Sequence, residues 1–187
     1  MYEDAKPQIE KVCLESTSTD PVRIAKHLMA LPEVPVNGPV HHLADGAALL
    51  AAIRNAGAQI DLAACLDQLF ERGSKMPGAI CGQWGVCGSA ASVGAALSVW
   101  HGTGPMSDDA YYADNLELTS RILSREAQLG GPRCCKRNAF TALLEATDFV
   151  RDRYGVPIAT EKPACGYFEL NGSCTRERCL YYPAARH

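Results

Sequence analysis

The chain has 187 residues, 47% of them apolar and 21% charged, with a formal net charge of −3. That composition is ordinary for a globular domain with a real core, and so small a charge gives no global field to draw the chain to nucleic acid or a membrane surface. Nine cysteines set the chain apart: an odd number cannot all pair internally, and in a reducing compartment thiols read as metal ligands or reactive groups rather than disulfides.

In chain order, residues 4–15 predict a weakly amphipathic helix with Ile9, Val12 and Cys13 on one side. After the loop STSTD, Asp20–Pro21 predicts a second helix, with an acceptor at the N-cap and Pro at the first position. Ile24, Leu28 and Leu31 form its stripe, and Pro32 stops it. LPEVPVNGP reads as an extended linker. His41–His42 opens the next helix, which ends near Gly57, and a further helix spans Asp61 to about Arg72.

The Gly-rich turn GAICGQWGVCG then leads into SAASVGAALSVW, a small-residue helix that reads as the central buried one. Ser107–Asp108–Asp109 starts a long helix to about Gln128, and Gly130–Gly131 breaks it. Pro132 is expected to start the last long helix, with Cys134 and Cys135 in its first turn. From Val156 the chain is poor in helical pattern and rich in turn residues, and no period-2 strand precedes it. The expected fold is therefore all-α: a helical bundle over residues 1–155 with an irregular C-terminal cysteine-rich metal-knuckle module, 156–187, packed on it.

No apolar block in MYEDAKPQIEKVC could serve as a signal-peptide core. The longest strongly apolar run, Ala47 to Ile53, falls far short of the ~20 residues of a membrane helix. The expected compartment is the cytoplasm, with no membrane partner.

Cysteine chemistry concentrates in three segments. Cys81 and Cys87, spaced C-x5-C among Gly82, Gly85 and Gly88, precede a helix whose positive end suits a thiolate or an anionic cluster. The plainer reading is a packing turn with two small apolar thiols. Cys134 and Cys135 repeat the arrangement, with Arg133, Lys136 and Arg137 expected to lower the thiol pKa further. Lys136 alone reads more simply as part of a solvated helix end. Adjacent helical residues diverge by ~100°, so the two sulfurs need not serve one metal atom: one can ligate while the other reacts.

Cys165, Cys174 and Cys179 follow at x8 and x4 spacing, with Gly172 before the second, which points to a metal knuckle. This segment partly resembles a CCCH zinc finger. It departs from that pattern in its middle gap and in having Pro183 where the family has histidine, with His187 further on. Tyr167, Phe168, Tyr181 and Tyr182 offer base-stacking rings but read more simply as packing for a small module. Nucleic acid is accordingly not expected as a partner. Of the histidines, His41 and His42 at a loop-to-helix junction are best placed to ligate or to move protons. Cys13 and Cys65 read as core.

As an ordered set, GPVHH, ICGxWGxCG, GGPRCCKRN and CGYFELNGSC, over roughly residues 36–183, resemble an uncharacterised cysteine-rich domain family of anaerobic bacteria and archaea. Members occur alone or joined to methyltransferase-like domains. The resemblance implies an anaerobic setting and carries His42, Cys81, Cys87, Cys134 and Cys135 as functional positions.

Three readings follow. The first is an iron–sulfur protein, 4Fe-4S in type, with Cys81, Cys87, Cys134 and Cys135 as cluster ligands. Cys135, His42 and Arg137 would be its catalytic groups, and Arg133 or Arg137 would hold a small anionic or sulfur-containing substrate. A methyltransferase-like or redox protein is the expected partner. The second is a zinc protein whose Cys165, Cys174 and Cys179 are structural. The third is a metal-free thiol redox enzyme using Cys134–Cys135. In the metal readings the candidate ligands are Cys81, Cys87, Cys134, Cys165, Cys174 and Cys179. No P-loop, Gly-x-Ser-x-Gly elbow or HExxH helix is present.

Overall fold

The computed structural model describes residues 2–183, so His187 lies outside the described residues. Eight α-helices follow one another: α1 (Tyr2–Glu15), α2 (Pro21–Met29), α3 (His41–Asn55), α4 (Leu62–Ser74), α5 (Ile80–Gln83), α6 (Gly88–His101), α7 (Ala110–Leu129) and α8 (Cys135–Tyr154). There is no strand among the described residues, and the protein is all-α. None of these helices is long and apolar enough to cross a membrane.

The bundle is built around the pair α3 and α6. Every residue of α3 from His41 to Ile53 is buried, so the helix is covered on all sides. Small residues make this possible. A Cβ on Gly46 would stand 2.5 Å from the Ser92 carbonyl oxygen, and the Gly46 N–H donates to Ser92 Oγ at 2.9 Å. Backbone approach of this kind lets Leu49, Leu50, Val93 and Leu97 close the core, each buried side chain stabilising by about 1.5–3 kcal/mol. Helices α1, α2, α4, α7 and α8 wrap this pair.

Local signals set most helix starts. The Asp20 carboxylate accepts from the N–H groups of Val22 (2.8 Å) and Arg23 (3.1 Å), satisfying donors that the first turn leaves free. Asp61 and Asp109 cap α4 and α7 in the same way. At the far end of α3, the Arg54 guanidinium donates to the carbonyls of Cys13, Leu14 and Ser16, tying down the C-terminus of α1.

The start of α8 differs from expectation. The Gly131–Pro132 peptide is cis, and Pro132 stands outside the helix. Cys134 is the N-cap, in extended conformation, and its thiol accepts from the Arg137 N–H at 3.5 Å. The Arg137 side chain donates to the Gly130 (2.6 Å) and Pro132 (2.9 Å) carbonyls, holding the loop off the helix axis. The helix therefore begins between the two adjacent cysteines. Beyond α8 the chain is irregular, with one 3₁₀ turn at Arg176–Arg178. It is anchored where Cys165 N–H donates to the Tyr181 carbonyl (2.7 Å) and Tyr181 hydroxyl meets Thr141 Oγ1 (2.9 Å).

Candidate functional site: two cysteine-lined pockets

Seven of the nine cysteines gather at one end of the bundle, and they divide between two pockets. Cys13 and Cys65 are buried in the core. The division falls between Cys134 and Cys135, because the N-cap residue and the first helical residue point their side chains in different directions.

The first pocket is a cavity of about 330 Å³ lined by the opening turns of three helices. α3 supplies His41 and His42, α6 supplies Gly88 and Ser89 behind its N-cap Cys87, and α8 supplies Cys135 and Asn138. Cys81, Arg133 and the linker residues Asn37 to Pro39 complete the wall. Three positive helix ends thus face one space. The Cδ2–Nε2 edge of the His42 imidazole stands against α6: a Cβ on Gly88 would fall 2.1 Å from His42 Cδ2, so only glycine fits there.

The polar groups of this cavity are incompletely satisfied. His41 Nδ1 pairs with Asp45 Oδ1 at 3.1 Å, both residues almost fully buried, while His41 Nε2, His42 Nδ1 and Asp45 Oδ2 have no hydrogen-bond partner. Burial pulls the His42 pKa down, against the charge of Asp45 and the carbonyl of Met76, which favours the neutral ring that ligates metals. Asn138 Nδ2 donates to Cys87 Sγ at 3.1 Å.

Behind Cys87 lies a group with no local sequence signal, the buried carboxyl of Glu126 from α7. Burial first, then the facing carboxyl, pushes the Cys87 thiol up to about 12, and burial raises Glu126 to about 7. The Cys135 thiol is likewise pushed up by burial, with the Gly38 backbone opposing. The expectation that helix ends and basic neighbours make these thiols acidic is therefore corrected at Cys87 and Cys135: desolvation outweighs both. A thiol held in this way gives up its proton to a cation that replaces it.

The second pocket is a gap of only about 20 Å³ lined by Cys134, Cys165, Cys174 and Cys179 with Lys136, Tyr167, Asn171 and Tyr181. Three of the sulfurs accept N–H bonds. Tyr167 N–H donates to Cys165 Sγ (3.4 Å), and Arg176 N–H donates to Cys174 Sγ (3.4 Å). Both link residues two apart, and Arg176 itself has a left-handed φ of 49°. Cys134 Sγ accepts from Asn171 Nδ2 (3.4 Å) as well as from Arg137. Burial raises the Cys165 thiol, the Tyr167 N–H opposes this, and the neighbouring Cys134, Cys179 and Cys174 raise it further.

Lys136 does not extend into solvent. It is about 1% exposed, its Nζ lies 4.6 Å from the centre of the Tyr167 ring, and that Nζ has no hydrogen-bond partner. Burial brings its pKa down to about 8, against the pull of Asp45 and of Cys135, Cys134 and Cys165. The expectation of a solvated helix end is overturned for this residue. Among the described residues, no three His, Cys, Asp or Glu side chains are already placed to hold one metal ion. The sulfurs ring their pockets without closing on a point.

Among the expected site residues, His42, Cys81, Cys87 and Cys135 share the first pocket, with Arg133 exposed on its rim. Cys134, Cys165, Cys174 and Cys179 share the second. Arg137 lies on the second side with its guanidinium committed to the 130–132 loop. Asn37 joins the two: its Oδ1 accepts from Cys135 N–H at 2.9 Å, and its Nδ2 reaches Asn171 Oδ1 at 3.5 Å. Neither Asn37, Asn171 nor Glu126 carries a sequence signal, since each acts across the fold. Asp45 stands four residues after His41 and was legible as its partner.

Fold and site together define an all-α protein with paired cysteine-lined pockets at converging helix starts. The chain belongs to a family of unknown function, DUF5714, whose model matches residues 9–182 and so runs from the middle of α1 through α8 to the C-terminal cysteines. No curated protein and no solved structure matches it.

Proposed function

We propose that this protein is a cysteine-ligated metalloprotein whose wider pocket holds an iron–sulfur cluster through Cys81, Cys87 and Cys135. The observation that carries the reading is the gathering of three thiols and the His42 imidazole around a 330 Å³ cavity, room for a group of several atoms rather than one ion. Thiolates are the usual ligands of such clusters, and three positive helix ends stabilise the anionic charge that a thiolate-bound cluster carries. With three thiols bound, one iron is left for His42 or for a substrate. A small anionic or sulfur-containing substrate suits the basic rim at Arg133.

The anaerobic setting implied by the resemblance of the cysteine segments agrees with a cluster beside an open cavity, and a methyltransferase-like or redox protein is the partner we infer. Protein purified without oxygen should contain iron and acid-labile sulfide in stoichiometric amounts and show broad visible absorption that fades in air. Colourless protein without iron under those conditions would refute the cluster. Reactivity of Cys135 towards thiol reagents in such iron-free protein would favour the thiol redox reading instead.

A further inference from the structure

We propose that Cys134, Cys165, Cys174 and Cys179 form a second metal site, a four-thiolate zinc centre that pins the C-terminal segment to the start of α8. The inference shares with the proposed function the reading of cysteines as ligands, but it does not depend on the cluster.

Size is the first argument. The gap that these four residues line is about 20 Å³, close to the roughly 10–15 Å³ that one small sphere needs, and some fifteen-fold smaller than the neighbouring cavity. A single ion fits; a cluster does not. Four thiols and no other ligand type match the closed, tetrahedral arrangement of structural zinc. Among the described residues no three of these side chains already surround one point, so binding must draw the four sulfurs inward across the gap that they line.

Hydrogen bonding is the second. The N–H groups of Tyr167, Arg176 and Arg137 and the amide of Asn171 all point at sulfur. Neutral thiols accept weakly, whereas thiolates make charge-assisted bonds of about twice the strength.

Charge is the third. Lys136 is a buried amine without a hydrogen-bond partner, set beside Cys134 and Cys165 and facing the Tyr167 ring. A buried cation calls for an anionic neighbour. Zinc displacing four thiol protons leaves a centre of net charge −2, which Lys136 and the adjacent Arg137 offset.

The site also answers a structural need. From 156 to 183 the chain buries few side chains, chiefly Ile158, Asn171 and Tyr181, while Leu170 and Leu180 are exposed. A segment with so little core requires a staple. Cys134 supplies the fourth ligand from outside the segment, in place of a histidine within it.

The test is zinc and iron content, measured on the full chain purified anaerobically, as wild type, Cys134→Ser and Cys135→Ser. The expected result is one zinc in wild type and in Cys135→Ser, with zinc lost and iron unchanged in Cys134→Ser. Zinc retained at one equivalent by Cys134→Ser, or its loss in Cys135→Ser alone, would overturn the inference. Since the zinc readout stands whether or not iron is found, failure here is distinct from failure of the cluster reading. Should Cys134→Ser not fold, cobalt(II) loaded into the wild-type chain reports instead. Intense tetrahedral thiolate bands displaced by one equivalent of zinc support the site; weak octahedral bands contradict it.

Discussion

The two cysteine pockets share a peptide bond, between Cys134 and Cys135, yet they differ in almost every physical respect. One is wide, faces three helix starts and has one unpartnered nitrogen on each of two imidazoles in its wall. The other is tight, drawn mainly from irregular chain, and the sulfurs of Cys134, Cys165 and Cys174 accept hydrogen bonds. The difference teaches that a vicinal cysteine pair at a helix boundary can divide rather than chelate. The N-cap thiol turns back to the loop side, and the first helical residue looks across the helix ends. A chemical site and a structural staple can then be coupled through the backbone.

Breaking the tight pocket should have the largest effect. Cys174→Ser is expected to remove its metal and release residues 156–183, costing more than about 4 kcal/mol, as loss of a structural metal does. Limited proteolysis and urea unfolding with and without chelator would measure this. A variant as stable and as protease-resistant as wild type would contradict the staple.

Gly88→Ala comes next, because its methyl group must displace His42 from 2.1 Å. Overpacking of this kind costs about 1–3 kcal/mol. Iron content should fall with stability while zinc stays, as read by elemental analysis beside thermal unfolding. Cys135→Ser sharpens the contrast from the other side. It should abolish iron at a stability cost below about 1 kcal/mol, because the wide pocket is held by helices that fold without it.

Asp114 provides a control far from both pockets. Arg153 and Tyr154 hydrogen-bond to its carboxylate and hold its pKa below the usual carboxylate range. With the folded value below the unfolded one, its contribution is present above about pH 4 and is lost as pH falls through the folded value. Asp114→Asn should therefore cost about 1 kcal/mol at neutral pH, with the difference from wild type closing in acid and both metal contents unchanged. Urea unfolding at several pH values would show it.

Much of the fold was legible because its signals are local. Asp20–Pro21 and Asp109 announced the starts of α2 and α7, and the small residues of α6 announced a buried helix. The start of α8 was misread by three residues, since a proline after two glycines is compatible with a helix start or with a loop, and the Arg137 contacts that decide it are tertiary. For the site, the cysteine segments were visible, but the ~100° divergence expected of two adjacent helical residues does not describe Cys134 and Cys135, since Cys134 is the extended N-cap and only Cys135 is helical. The grouping of the segments was not visible. Nothing local says that Cys134 joins residues 165–179, that Lys136 is buried, or that Glu126 of α7 backs Cys87, because each depends on how helices far apart in sequence pack.

Anomalous scattering from crystals grown without oxygen, collected at the iron and zinc edges, tests the division of the cysteines most directly. The account predicts an iron signal among Cys81, Cys87 and Cys135 and a separate zinc signal among Cys134, Cys165, Cys174 and Cys179. A single metal bound by Cys134 and Cys135 together, or no metal at either pocket, would contradict it.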